Sequence, residues 1–299
     1  MNTDILDIKT VHQCNSCLGC KTSYPQACVI RLDGGRADAG YKEIRFGFCT
    51  VLMIDHGDGK AGCCGCRCYD FSEATMVFLS PGHAFDMEDG HALPGKGWLL
   101  AFDPGLLDGL PEQLDNYTFF HYRKNEALHL SLREKNKISG CLHELEEELR
   151  HPVDSHSETL ISDYIKMILD YCRRYYERQF ITRGDANKSI IKKTDCILED
   201  FIMSGKLERR LFPTAGYCAS LLDLSENYLN DLLKAETGKG FEDYFKLRLI
   251  GASKKMLLGK GLTTEAIAKR LGFPNADSFR YAFEKITGTE PEKYLISRN

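Results

Sequence analysis

TAGYCASLLDLSENYLNDLLKAETG, residues 214–238, reads as two short helices joined by a tight turn. Ser225 is placed to cap the second helix, because its hydroxyl can accept a bond from an orphan amide of the first turn. Leu229, Leu232 and Leu233 then recur at the spacing of one buried stripe. Ala219 is small where two helices must approach closely. Thr237-Gly238 is the stop, since glycine takes a left-handed helix end cheaply. The outward face is left with Glu226, Asn227, Asn230, Asp231 and Lys234. This is the plan of a helix-turn-helix, which holds one exposed helix for the DNA major groove.

Residues 264–287, TEAIAKRLGFPNADSFRYAFEKIT, repeat that plan. Thr264 is the expected cap of a helix carrying Ile267, Ala268 and Leu271, and Gly272 to Asn275 make the turn. The next helix is expected to bury Phe279, Phe283 and Ile286 and to expose Ala276, Asp277, Arg280, Tyr281 and Glu284. Between the units, Phe241 to Leu258 reads as one helix with Tyr244, Phe245, Leu247, Leu249, Ala252 and Met256 inward. At 1.5 Å per residue it spans roughly 27 Å, so it can set two recognition helices about one DNA turn apart.

These residues resemble the AraC/XylS family of bacterial transcription regulators over about residues 190–299. The resemblance is carried by Leu224 to Leu229, Glu236 to Gly238, Ile267-Ala268, Leu271 to Phe273, Phe279, Phe283, Thr287-Gly288 and Pro291 to Tyr294. It implies that bases are read from Asn227, Asn230 and Asp231 in the first unit, with Lys234 on the same outward, DNA-binding face. In the second, the readers fall on Ala276, Asp277, Arg280 and Tyr281. Two positions depart from the pattern. Asp231 stands where a basic residue would suit phosphate better, and Leu295 replaces an arginine that often follows the terminal tyrosine. Charge is distributed in the same sense: from Lys188 onward the net is +4, and residues 1–187 carry −8. A basic end on an acidic body suits a phosphate-binding surface, although chance asymmetry of a solvated surface gives the same balance.

The 299 residues are enough for two domains. No run of 18 apolar residues and no basic-then-apolar leader is present, so the expectation is a cytoplasmic protein without a membrane partner. The front half reads as β-rich. Ile44–Ile54 and Lys60–Tyr69 flank DHGDG (55–59) as a hairpin, and Ala74–Leu79 and Gly97–Phe102 are further strands. The phrases FLSPGH (78–83) and GWLLAF (97–102) resemble the cupin-like effector domain of the same family. The overall expectation is a multidomain α+β chain with four parts. Residues 1–135 form a cupin-like β-barrel for an effector, 136–182 a helical dimerisation segment, 183–189 a linker, and 190–299 the all-α DNA-binding domain. Leu142, Leu145 and Leu149 make one helical stripe, and Leu160, Ile161, Tyr164, Ile165, Ile168, Leu169 and Cys172 a broader one. Periodicity does not say whether their partner is a second copy or the barrel. The resemblance implies double-stranded DNA, a second copy, a small effector and, for an activator, RNA polymerase as partners.

Nine of the 13 cysteines lie within the first 68 residues. Cys14-x-x-Cys17-x-x-Cys20 has a spacing that lets thiolates converge on one metal ion or iron–sulfur cluster. Alternation along a strand would put Cys64, Cys66 and Cys68 on one face, with Cys49 opposite across the hairpin, and Cys28 is a further candidate ligand. Soft thiolates in this density suit zinc, copper or Fe–S. Thiol redox chemistry and simple packing are the competing readings, because buried cysteine is also a common small hydrophobe. In the packing case the effector would be a small, sugar-like molecule. His56, His83, His91 and His121 are too scattered for metal-dependent barrel catalysis, so no enzyme activity is expected. A methyl-accepting repair regulator of the Ada type also joins cysteines to such helices, but with a different ligand spacing.

Overall fold

The computed structural model describes residues 5–33, 43–56, 65–66, 70–86, 96–107, 114–259 and 261–298. The chain divides into two compact units, Met1–Arg183 and Gly184–Asn299.

In the first unit, β1 (Ile5–Ile8), β3 (Glu43–Phe46) and β6 (Ala84–Asp86) form one sheet in the order β1-β3-β6. β2 (Ala27–Asp33), β4 (Cys49–Asp55), β5 (Ala74–Leu79), β7 (Lys96–Phe102) and β8 (Leu128–Leu130) form a second, ordered β2-β7-β4-β5-β8. The expected barrel is therefore seen, among the described residues, as two open sheets; no ladder closes either one. The central strands are near-continuous apolar runs because both faces of their sheet are covered. Leu52, Ile54, Val77, Leu79, Leu99 and Ala101 face one core, which also holds Ile8, Phe46 and the short helix α1 (Val11–Cys17). The alternate residues face helices: Met76 touches Cys172 sulfur to sulfur at 3.7 Å, and the Phe78 and Tyr176 rings lie 6.0 Å apart. β7 approaches β4 so closely at Gly97 that an added Cβ would stand 1.8 Å from the Met53 carbonyl oxygen.

Strands β5 and β7 lie where the sequence placed them. The hairpin partner of β4 does not: β4 pairs with β5, and Cys49 sits across the ladder from Phe102. Of the expected strand Lys60–Tyr69, only residues 65 and 66 are described, and neither is in a strand. Cys64 and Cys68 lie outside the described residues. The two helical stripes become α2 (Leu132–Arg150) and α3 (Ser157–Thr182), which bury Ile138, Leu142, Leu145, Ile165, Leu169 and Cys172 within this unit. Leu160 points outward, 43% exposed.

The second unit is all helix: α4 (Gly184–Met203), α5 (Ala215–Leu221), α6 (Glu226–Thr237), α7 (Phe241–Leu258), α8 (Thr264–Arg270), α9 (Ala276–Thr287) and α10 (Pro291–Arg298). Residues 184–189, expected as a linker, are the first turns of α4. Within these turns Asp185 and Lys188 face solvent, and the buried Asn187 donates from Nδ2 to Glu236 at 2.9 Å. One core joins α4 to α9 through Leu198, Leu229, Phe241, Ile250, Ile267 and Phe279. Among the described residues, no helix is long and apolar enough to cross a membrane.

Candidate functional site

Four short helices of the second unit each begin on a side-chain cap. Thr214 accepts from the Tyr217 amide at 3.1 Å, Ser225 from Tyr228 at 3.2 Å and Asn275 from Ser278 at 2.8 Å. The cap of α8 is Thr263, one residue before the expected Thr264, and it accepts from Ala266 at 3.2 Å. Thr264 is thereby released to donate to Glu292 at 3.0 Å. Both turns need a left-handed residue: Asp223 at φ 56° in the first and Gly272 at φ 79° in the second. At Gly272 a Cβ would also meet the Leu207 carbonyl oxygen at 2.7 Å, so glycine is required twice over. α6 and α9 end on left-handed Gly238 and Gly288.

Of the expected core, Phe279 and Phe283 are fully buried, whereas Ile286 and Leu247 are each 38% exposed. The buried stripe of α9 ends one turn early, where Thr287 turns its hydroxyl back to the Phe283 carbonyl at 2.8 Å.

The eight expected base readers separate into groups. Asn227, Asn230 and Tyr281 line one groove between the two helix-turn-helix units, with a cavity volume of about 1270 Å³. Tyr281 is the most open of them at 69% exposure. Asn230 is already engaged in the frame, because its Oδ1 accepts the Phe241 amide at 2.9 Å and so caps α7. Asp231 is half-buried, with Lys234 at 3.6 Å. Arg280 ties three helices together, donating to Asp277 at 2.9 Å, Glu292 at 3.0 Å and Glu265 at 3.3 Å. Ala276 is half-buried at the start of α9. Sequence reasoning missed Lys239, Lys246 and Lys285, which line the same groove as Asn227 and Tyr281. Their signal was weak, because isolated lysines on a helix face usually mark nothing more than solvent. The groove also carries Glu226, Glu242 and Asp243, and Lys246 is paired with Asp243 at 3.2 Å, so its charge is mixed.

The cysteines of the first unit do not gather as their spacing suggested. α1 turns Cys14 inward and leaves Cys17 and Cys20 exposed. A thiol hydrogen bond with Cys28 and burial push the Cys14 pKa far above the usual thiol range. Burial, with Asp103 nearby, pushes Cys49 up to about 12. Buried thiols behave as small apolar groups, and among the described residues Cys14, Cys17, Cys20, Cys28 and Cys49 are not brought together as a set of three or more ligand atoms.

Among the described residues, one constellation does bring ligand atoms together: Cys66, Asp70 and His129 each place one within 4.8 Å of the others. His129 is fully buried on β8. Its Nδ1 lies 3.0 Å from the Thr75 hydroxyl, which lies 2.7 Å from Nε2 of His56. Burial, helped by Arg183, His56 and Arg178 against the opposing pull of Asp70, holds the His129 pKa down to about 4, so the imidazole is neutral. Asp70 receives both Nε (2.9 Å) and Nη2 (2.6 Å) of Arg183, with the two side chains 0% and 3% exposed. Sequence reading named Cys66 but missed Asp70 and His129, because His129 stands far along the chain as a lone histidine in an apolar strand.

Residues 218–296 match the family described as "Helix-turn-helix domain". Over 76 residues the chain is 34% identical to the uncharacterized transcriptional regulatory protein YesN of Bacillus subtilis; the match covers 25% of this chain and 21% of that protein. The chain thus spans about a fifth of the length of this curated relative. Among solved structures, the C-terminal domain of AraT, a response regulator from Geobacillus stearothermophilus, is similar at 24% identity. That likeness covers 36% of this chain and 85% of the AraT domain, with a TM-score of 0.31. Fatty-acid-bound ToxT from Vibrio cholerae is similar at 13% identity over 91% of each chain, with a TM-score of 0.32. The family reading rests on the sequence matches.

Proposed function

With a C-terminal unit that carries the helix-turn-helix domain of AraC/XylS-type regulators as the premise, we propose that the chain is a sequence-specific transcription regulator. The observation that carries this is the pair of capped recognition helices, α6 and α9, built into one core on either side of a groove. In this reading Asn227, Tyr281 and the exposed positions Lys234 and Asp277 face bases or phosphates. Asn230 and Arg280 hold the frame as well as meeting the duplex. The first unit, related to the cupin-like effector domains, receives a signal, and its helices α2 and α3 contribute to a homodimer through their outer faces. An effector that binds two arrangements of the chain with different affinity shifts DNA binding; no step is enzymatic. RNA polymerase is the further partner if the outcome is activation.

Selection of duplexes from a random library by the purified full chain tests the reading. A recovered motif of two short elements about 10 base pairs apart is expected, since each recognition helix reads one groove segment. Recovery of no motif would refute it.

A further inference from the structure

We propose that Cys66, Asp70 and His129 form a binding site for a thiophilic divalent cation of the zinc type. His129 Nε2 is buried, makes no hydrogen bond, and belongs to a residue that is 0% exposed. Nδ1 is already used by Thr75, so Nε2 is the nitrogen available to a ligand. The Thr75 hydroxyl also fixes the tautomer. If His129 carries its proton on Nδ1, it donates to Thr75, which then donates to His56, and Nε2 presents a bare lone pair. The reverse arrangement would strand a buried N–H donor at Nε2, the costlier error. A ligating imidazole oriented through its other nitrogen is the usual state of a metal-binding histidine.

The other two donors suit the same ion. One thiolate, one imidazole and one carboxylate make a set that zinc accepts in tetrahedral geometry. Donor atoms around such an ion stand about 3.3–3.8 Å apart, given bond lengths of about 2.0–2.3 Å. The observed outer limit of 4.8 Å is therefore closed by movements of about 1 Å. Binding converts the Cys66 S–H bond into an S–metal bond and releases that proton to solvent. With three protein donors, the fourth position is left for water, which suits an ion that exchanges.

The site also has a route to the rest of the chain. Asp70 holds Arg183, the last residue before Gly184 opens the second unit. The Arg178 guanidinium donates to the His129 carbonyl at 2.7 Å, and Gln179 accepts the His129 amide at 2.8 Å. The end of α3 is thus fastened to the would-be ligands themselves. A divalent ion bound by one thiolate adds net positive charge beside Arg183 and competes with it for Asp70. Occupancy loosens that fastening. This last step rests on the reading of the chain as an effector-controlled DNA-binding protein; the site itself does not.

The experiment uses cobalt(II) as the probe, titrated into the reduced, metal-stripped full chain. One equivalent should bind with a thiolate-to-cobalt charge-transfer band and the intense visible bands of a tetrahedral ion. The charge-transfer band should vanish in Cys66→Ser. Affinity should fall about 10–100-fold in Thr75→Val, which removes only the orienting hydroxyl. Cys17→Ser/Cys20→Ser should bind as the parent does. Absence of the bands in the parent, or their persistence in Cys66→Ser, overturns the site. In parallel, affinity for a duplex recovered by selection is measured with and without one equivalent of zinc. A change of tenfold or more supports the coupling, and an unchanged affinity overturns it. If no duplex is selected at all, the regulatory reading fails while the cobalt result still decides the site.

Discussion

Arg183→Met should unfold the first unit far more easily than its position at the end of a helix suggests. The guanidinium meets both Asp70 oxygens, at 2.9 and 2.6 Å, with the two side chains 3% and 0% exposed. Screening by solvent is therefore small, and the discount that applies to surface pairs does not hold. Removing one partner of such a pair leaves a carboxylate buried without its countercharge, which costs about 3–5 kcal/mol. With a urea m-value of roughly 2 kcal/mol/M for a unit of this size, the midpoint should fall by about 1.5–2.5 M. The chain has a single tryptophan, Trp98, buried in β7 with Arg31 over its ring at 5.1 Å, so its fluorescence follows this unit alone. Asp70→Asn/Arg183→Met should be less destabilised than Arg183→Met, because the double variant buries no net charge. A midpoint shift below about 0.3 M, equivalent to well under 1 kcal/mol, would refute the reasoning.

Asn230→Ala removes the cap on α7 and should cost about 1 kcal/mol in the stability of the second unit, followed by far-ultraviolet circular dichroism in urea. Its DNA affinity should fall evenly across sequences; loss confined to one base position with unchanged stability would assign Asn230 to readout alone. Gly272→Ala combines a left-handed φ of 79° with a 2.7 Å approach to the Leu207 oxygen, and a loss of about 1–3 kcal/mol is expected in the same assay. Lys285→Ala should reduce the slope of log affinity against log salt by about 0.9 if the groove lysines meet phosphate. An unchanged slope places the phosphates elsewhere.

The second unit was legible because its signals are local. Ser225, Gly238 and the leucine stripe are decided within one or two turns, and they stand where the sequence placed them. The errors there are also local. Thr263 and Thr264 are equivalent as caps by composition, and only the partner Glu292, 28 residues on, selects between them. Ile286 fits the apolar period, but it stands in the last turn of α9, 38% exposed and outside the core. Asn230 and Arg280 look like readers on a helical wheel, and their bonds to Phe241, Glu265 and Glu292 form only when other helices are in place. The first unit was less legible because its partners are distant. β4 was joined to its chain neighbour, whereas it pairs with β5 and β7. The cysteine spacing suggested a thiolate cluster, and α1 turned Cys14 away from Cys17 and Cys20. Among the described cysteines of that cluster, Cys66 joins a candidate ligand set, with Asp70 and with a histidine that no motif pointed to.

The most direct test of the regulatory reading is a footprint of the full chain on a selected duplex. Two protected segments about one helical turn apart are expected, as two recognition helices in one core require. Tyr281→Ala should relax base preference within one segment and leave the other unchanged. Uniform protection without sequence preference, at the same affinity as for random duplex, would contradict it.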